Sequence, residues 1–287
     1  TGRSQDTANS TAAVGGSLSE TAAAVTAAGG TCIPVAVDHG DDAQVEALFA
    51  QIKQEQDGRL DLLVNNVYAG VPALREASGE PFWTQPIALW DACNQVGLRS
   101  HYVASWHAAQ LMVPRGQGLI CTISSWGGLS YIFGSAYGAG KAACDRLAAD
   151  MAKEFQPHNI TSISVWPGIV GTEQITDIAE SSPDTSMGAV MGDRYNWETP
   201  LLTGRAIAAL AADPKTHQRT GKLHIVAEVA KRYGLVDTDG KRPVSLRSLR
   251  FALPLAVKAL RPYAQWLPDI YVPWSVLTWL ALAAPRI

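Results

Sequence analysis

Short apolar runs alternate along the chain with longer stretches in which apolar residues follow helical spacing. The runs have the length of buried strands and occupy residues 31–37, 60–64, 118–123 and 160–165. Helical spacing is found between them, at residues 42–52, about 86–112 and 137–155. Strands that alternate with helices in this way predict βαβ units. We therefore expect an α/β fold with a doubly wound, Rossmann-like parallel sheet.

Length and composition favour one domain with an appendage. A chain of 287 residues, 47% hydrophobic and 17% charged, can bury one substantial core. We assign residues 1–240 to the α/β domain and residues 241–287 to a C-terminal extension. The formal net charge of −3 provides no broad basic field, so no nucleic-acid partner is expected. Four scattered cysteines without a C-x-x-C pair predict no metal site and a reducing compartment, the cytoplasm or the cytoplasmic face of a membrane.

Each apolar run ends in polar or turn-forming residues. These clusters are Asp38, Asn65-Asn66, Ser124-Ser125 and Pro167-Gly168. In open parallel sheets, ligands bind outside the carboxyl ends of the strands. The sequence therefore predicts that the four clusters lie at one rim of the sheet.

Tyr137 and Lys141 stand four residues apart at the start of a predicted helix, which places them on one face. A phenol has an ordinary pKa of about 10, and a neighbouring ammonium group favours its ionised form. We therefore expect Lys141 to lower the pKa of Tyr137 and to make it a proton donor and acceptor. A hydroxyl of Ser124 or Ser125 could bond the carbonyl oxygen that Tyr137 protonates.

Five motifs in register resemble the short-chain dehydrogenase/reductase family. They are Asn65-Asn66, Asn94 with Gly97, Ile123-Ser124-Ser125, Tyr137-x-x-x-Lys141 and Pro167-Gly168-x-x-x-Thr172. The resemblance covers residues 30–230, and the variants at residues 65–70 and 230–240 are similar to one branch of the family. It implies an NAD(P)(H)-dependent oxidoreductase that interconverts a carbonyl and an alcohol in a small-molecule substrate.

The resemblance also implies the catalytic roles. Tyr137 would be the general acid in reduction and the general base in oxidation, and Lys141 would bind the nicotinamide ribose. Ser125 would orient the substrate oxygen, with Ser124 as the alternative. Asn94 would hold a water molecule in a proton relay, although it could also be an ordinary polar helix residue.

The cofactor contacts implied by the resemblance come from several rim segments. The complete set is Arg3, Asp38, Asn65, Asn66, Tyr137, Lys141, Pro167, Gly168, Ile169 and Thr172. Arg3 would follow the second strand of the family, where an arginine accommodates the 2′-phosphate, so NADP is expected in preference to NAD. The alternatives are that Asp38 is a turn former and that Thr172 is a helix cap.

The printed sequence departs from the family at its start. Family members begin with a strand, a T-G-x-x-x-G-x-G turn and a helix whose N-terminus binds the pyrophosphate. Gly15-Gly16 has no preceding strand and does not substitute for that turn. We therefore expect an N-terminally incomplete fold, from a truncated record of a longer protein; a degenerate family member is the alternative.

The C-terminal extension contains an uncharged stretch at residues 270–285, with Trp274 and Trp279. The stretch is short for a transmembrane helix and contains Pro273. It is predicted to contact a membrane peripherally or to form a lid over a lipophilic substrate. Packing on the body, or on a second copy in a homo-oligomer, is the alternative. A non-catalytic membrane-surface or interaction protein on a degenerate scaffold is the competing function.

Overall fold

The structure is a computed structural model that describes residues 1–5, 16–181, 194 and 196–283. Its main sheet has four parallel strands in the order β1-β2-β3-β6. The six strands are β1 (Leu62–Asn65), β2 (Gly118–Ile123), β3 (Ile160–Trp166), β4 (Ile169–Val170), β5 (Trp197–Glu198) and β6 (Leu223–Ile225). Strands β4 and β5 form a separate parallel pair beside the carboxyl end of β3.

The α-helices of the described residues are α1 (Leu18–Ala27), α2 (Asp42–Glu55), α3 (Val71–Glu76), α4 (Ala88–Asn94), α5 (Ser100–Met112), α6 (Ser135–Glu154), α7 (Glu173–Ser181), α8 (Pro200–Ala212), α9 (Val226–Tyr233), α10 (Leu249–Ala256) and α11 (Trp274–Ala283). A π-helix spans Gln95–Arg99. Short 3₁₀ segments span Val113–Arg115, Trp126–Gly128, Gln156–His158, Thr216–Arg219 and Lys258–Trp266. The helical stretch expected from residue 42 is found as α2, and the Asp41 side chain accepts hydrogen bonds from the N–H groups of its first turn.

The core consists of one apolar layer on each face of the sheet. Successive side chains of a strand point to opposite faces. On β2, Ile120 packs with α2, α5 and α6, whereas Leu119 and Cys121 pack with α8 and α9. Helices therefore cover both faces of a parallel sheet, which confirms the predicted doubly wound α/β class.

Two predicted elements differ from the structure. In the part of the chain that the structure describes, residues 31–37 form no strand. Ala36 makes only an isolated parallel bridge to Gly2. Val37 N–H donates to Gly2 O at 2.8 Å, but a ladder needs a longer neighbouring segment than the described residues supply here. The single helix expected over 86–112 is divided by the π-helix. The Tyr68 ring fills the space beside Gly97, where an added Cβ would lie 2.5 Å from Tyr68 Cδ2.

Part of the C-terminal extension packs on the body of the protein. Arg247 forms an ion pair with Glu228 of α9, with Nε and Oε1 2.6 Å apart. Trp274 contacts the buried Trp166, with ring centroids 5.9 Å apart. In the described part of the chain, no helix is long and apolar enough to span a membrane. The contacts favour the packing alternative for this stretch, although Trp279 is 65% exposed.

Candidate active site

Tyr137 lies in the first turn of α6, and Lys141 follows one turn later. The helix begins after Gly134, whose φ of +91° lies in the region that favours glycine. Gly127 faces the phenol ring, because an added Cβ would lie 2.5 Å from Tyr137 Cε1. This glycine therefore lets the turn after β2 approach Tyr137 closely.

The two serines at the end of β2 have different partners. Ser124 is buried, and its hydroxyl donates to the Lys141 carbonyl oxygen at 2.9 Å. The Ser125 hydroxyl is close enough to the Tyr137 phenol to affect its pKa, and its Oγ accepts the Gly127 N–H at 3.1 Å. Ser124 thus ties the strand to α6, while the Ser125 hydroxyl lies beside the phenol, and its role toward the substrate oxygen stays a prediction.

Burial dominates the electrostatics of Tyr137. It raises the pKa of Tyr137 to about 12, although the neighbouring Ser125 hydroxyl acts in the opposite direction. The expectation that Lys141 lowers this pKa below its ordinary value is therefore wrong for this structure. Lys141 itself is buried, and desolvation lowers its pKa. Its Nζ donates to the Ile123 carbonyl oxygen at 3.2 Å and lies 4.9 Å from the centre of the Tyr68 ring.

Asn94 ends α4, immediately before the π-helix. Its Nδ2 donates to the carbonyl oxygens of Trp90 and Ala136, at 3.0 and 3.2 Å. Its Oδ1 is buried and has no partner among the described residues. Gly140 makes room for this oxygen, since an added Cβ would lie 2.1 Å from it. A buried carbonyl oxygen with open acceptor capacity is suited to a water molecule, and the proton relay stays a prediction.

The residues expected on the adenosine side of the cofactor differ in burial and in hydrogen-bond partners. Asn65 is buried, and its Nδ2 donates to Ser105 Oγ at 2.9 Å, so its side chain joins β1 to α5. Asn66 is exposed beside it. Asp38 accepts the Gly40 N–H at 2.8 Å, which is the turn-forming alternative. Arg3 is exposed and follows the Gly2 bridge. The cofactor contacts of these residues stay predictions.

The segment after β3 holds the remaining predicted residues. Pro167 and Gly168 connect β3 to β4, which begins at Ile169. Thr172 Oγ1 accepts the Ile175 N–H at 3.3 Å near the start of α7, so the cap alternative is present here. The Gly168 N–H points inward and donates to Glu198 Oε1 at 2.8 Å. The carboxamide and phosphate contacts stay predictions.

Three side chains near the site, of which Glu198 is buried and Tyr68 and Asp145 are half-buried, are not among the sequence-predicted residues. Tyr68 packs edge-on against Tyr137, with ring centroids 5.9 Å apart. Asp145 accepts the Trp166 Nε1–H at 2.9 Å, and burial raises its pKa. Glu198 supports the Gly168 turn. Only Asp145 has a signal in the sequence, because a carboxylate beside the apolar positions of α6 is unusual on a buried face.

Known proteins resemble this chain over most of its length. A family model described as short chain dehydrogenase matches residues 7–182. Dehydrogenase/reductase SDR family member 1 of Mus musculus is 43% identical over 282 residues, 97% of this chain and 87% of the mouse protein. Carbonyl reductase [NADPH] 2 of Sus scrofa is 35% identical over 141 residues, 48% of this chain and 53% of its own.

A solved structure agrees with these sequence matches. The crystal structure of a putative dehydrogenase from Xanthomonas campestris has a TM-score of 0.66 and 21% identity, and the match covers 84% of this chain and 81% of that one. The mouse protein represents the branch that residues 65–70 and 230–240 predicted. The chain therefore belongs to the short-chain dehydrogenase/reductase family, a family of NAD(P)-binding oxidoreductases with a Rossmann-like fold.

Proposed function

We propose that the protein interconverts a carbonyl and an alcohol, with Tyr137 as the proton donor in reduction. The observation that carries this proposal is the grouping of Tyr137, Ser125 and Lys141 at the carboxyl end of β2 and the start of α6. A phenol, a hydroxyl and an ammonium group at one rim are the groups that this proton transfer needs. The orphaned Asn94 oxygen supports a water-filled proton path behind them.

In the proposed mechanism, Ser125 holds the substrate oxygen and Tyr137 donates its proton to it. Burial of Tyr137 keeps the phenol protonated, so the side chain is ready to act as an acid. A bound nicotinamide cofactor supplies the hydride in reduction and accepts it in oxidation. In oxidation Tyr137 takes the alcohol proton back.

The residues present fit the ribose of such a cofactor. An ammonium group has three N–H donors, and Lys141 forms one hydrogen bond with the described residues, to Ile123 O. Two donors are therefore open to ribose hydroxyls. Asn66 and Thr172 would supply further polar side chains at the same rim, and Ile169 would supply its backbone groups.

We propose NADP(H) in preference to NAD(H) because Arg3 supplies an exposed guanidinium next to the Gly2–Ala36 bridge. A planar guanidinium matches a phosphate group with two parallel hydrogen bonds. The NADPH in the name of the Sus scrofa relative agrees with this preference.

We propose a lipophilic substrate because apolar side chains surround Tyr137. One cluster brings together the rings of Tyr68 and Phe133 with Leu74, Leu89 and Ile178. Apolar side chains of this kind would contact the apolar part of a ligand, and a few polar groups would fix its orientation. Tyr137 and Ser125 would be those polar groups.

The test is Tyr137→Phe, which removes the proton donor and keeps the ring packing. We expect turnover of a carbonyl substrate to fall by roughly 100-fold or more, with NADPH binding nearly unchanged. Phe133→Tyr is the control, because it changes a ring hydroxyl in the same aromatic group and leaves the Tyr137 phenol in place. Normal turnover by Tyr137→Phe would show that another group is the acid, and absence of NADPH binding by the unmodified full-length protein would favour the non-catalytic alternative.

The remaining proposals concern location and assembly. All four cysteines are free, which agrees with a reducing compartment such as the cytoplasm or the cytoplasmic face of a membrane. Peripheral membrane contact would use the exposed Trp266 and Trp279 of the extension. A homo-oligomer would use the exposed Tyr102 and Trp106 on α5.

A further inference from the structure

Glu198 lies directly behind the Pro167–Gly168 turn. It belongs to β5, which pairs with β4 so that Val170 is opposite Glu198. The side chain reaches back along this pair, and Oε1 accepts the Gly168 N–H at 2.8 Å. Because Glu198 is only 2% exposed, the turn rests on a carboxyl group that water does not reach.

The surroundings of this carboxyl group are unfavourable for a charge. Oε2 is buried and has no hydrogen-bond partner among the described residues. The Thr203 hydroxyl of α8 is 3.4 Å from Oε1, a weak contact. Burial raises the pKa of Glu198 to about 7, with the Gly168 hydrogen bond opposing and the nearby Asp237 carboxylate adding to the rise. A buried carboxylate without a cation is costly.

We propose that Glu198 is a positioning residue for the cofactor turn: its ionised carboxylate holds the Gly168 N–H, and proton uptake by Glu198 loosens the turn and weakens cofactor binding. This inference rests on the proposed cofactor site. A hydrogen bond to a carboxylate is roughly twice as strong as one to a neutral acceptor. The turn that would face the cofactor is therefore held more firmly when Glu198 is charged.

The neighbouring groups leave Glu198 as the one expected to titrate near neutral pH at this turn. Although burial acts to raise the pKa of Asp237, hydrogen bonds from Thr199 and Thr238 hold it below its usual value, so Asp237 stays charged. On β5 itself, the centre of the Trp197 ring lies 5.4 Å from the guanidinium carbon of Arg194, which is a permanent cation. The pKa of Tyr137, about 12, is outside the neutral range.

The first experiment measures the dissociation constant of NADPH by its fluorescence from about pH 5.5 to 8.5 in the unmodified protein and in Glu198→Gln. The 2′-phosphate of NADPH also titrates at about pH 6, but its effect cancels in the ratio of the two dissociation constants. The amide oxygen that the substitution introduces can still accept the Gly168 N–H, but the amide cannot ionise. Above pH 8 the variant should bind roughly fivefold more weakly, and the difference should vanish below about pH 6.

Glu228→Gln is the matched control, because Glu228 is a partly buried carboxylate that pairs with Arg247 away from the turn. The ratio of the NADPH dissociation constants of this control and the unmodified protein should stay constant with pH. A constant ratio for Glu198→Gln would overturn the role of Glu198, whereas absence of NADPH binding by the unmodified full-length protein at every pH would overturn the proposed function instead.

A second measurement needs no variant and covers the case in which Glu198→Gln fails to fold. Glutamate labelled with ¹³C at the carboxyl carbon is titrated by NMR, and the group that titrates at about 7 is followed. If NADPH prefers the ionised form, saturating NADPH must lower this midpoint by linkage. An unchanged midpoint with NADPH bound would contradict the inference.

Discussion

Glu198 also makes a quantitative prediction about folding stability. Burial raises its pKa from 4.5 to about 7, so the folded chain binds this proton more tightly than the unfolded chain does. The stabilisation is therefore fully present below the unfolded pKa and is lost as the pH rises through the folded pKa. One pKa unit corresponds to about 1.4 kcal/mol, so this group alone removes about 2.5 kcal/mol from the free energy of unfolding between about pH 5 and pH 8.

Glu198→Gln removes the ionisable group, so the free energy of unfolding of the variant should lack this pH dependence. Between about pH 5 and pH 8, we expect the free energy of unfolding of the variant to rise by about 2.5 kcal/mol relative to that of the unmodified protein. The assay is urea unfolding followed by tryptophan fluorescence and by circular dichroism, whose transitions must coincide. All other titrating groups are common to both proteins and cancel in the difference. Parallel pH curves for the two proteins would refute the assignment of a raised pKa to Glu198.

Three further predictions test other parts of the molecule. Arg3→Asp should shift the ratio of NADP(H) to NAD(H) efficiency toward NAD(H) by roughly tenfold, since a charge-assisted contact is lost, and an unchanged ratio in steady-state kinetics would place Arg3 elsewhere. Trp274→Ala should lower the free energy of unfolding by about 2 kcal/mol through lost apolar burial, whereas Trp279→Ala should not, and equal effects in thermal denaturation would contradict the packing of this stretch. Gly127→Ala should reduce turnover far more than NADPH affinity, because the new Cβ would lie 2.5 Å from Tyr137 Cε1.

Elements with strong local signals could be predicted from the sequence. The strand at residues 118–123 is found as Gly118–Ile123, and the run at 160–165 extends by one residue to Trp166. The helical spacing from residue 42 is found as α2, whose first turn bonds the side chain of the adjacent Asp41. The grouping of Ser125 with Tyr137 follows from topology, because parallel strands present their carboxyl ends at one rim.

Features that depend on distant residues could not be predicted. The π-helix at Gln95–Arg99 lies where the Tyr68 ring approaches Gly97, a contact between separate segments. The burial of Glu198 follows from the pairing of β4 with β5, which two-residue strands do not reveal in a sequence. The direction of the Tyr137 pKa shift depends on burial beside Tyr68 and Phe133, which outweighs the expected effect of Lys141.

The extension and the catalytic turn are connected through Trp166. Its ring lies between Trp274 and Trp126, at centroid distances of 5.9 and 5.7 Å, and Trp126 directly follows Ser125. Its Nε1–H donates to Asp145, one turn after Lys141 on α6. A side chain from the extension therefore packs against the residue that supports both the turn carrying Ser125 and the helix carrying Tyr137 and Lys141. Because packed interiors transmit displacement, loss of the Trp274 contact is expected to disturb the geometry of the proton donor as well as the stability of the fold.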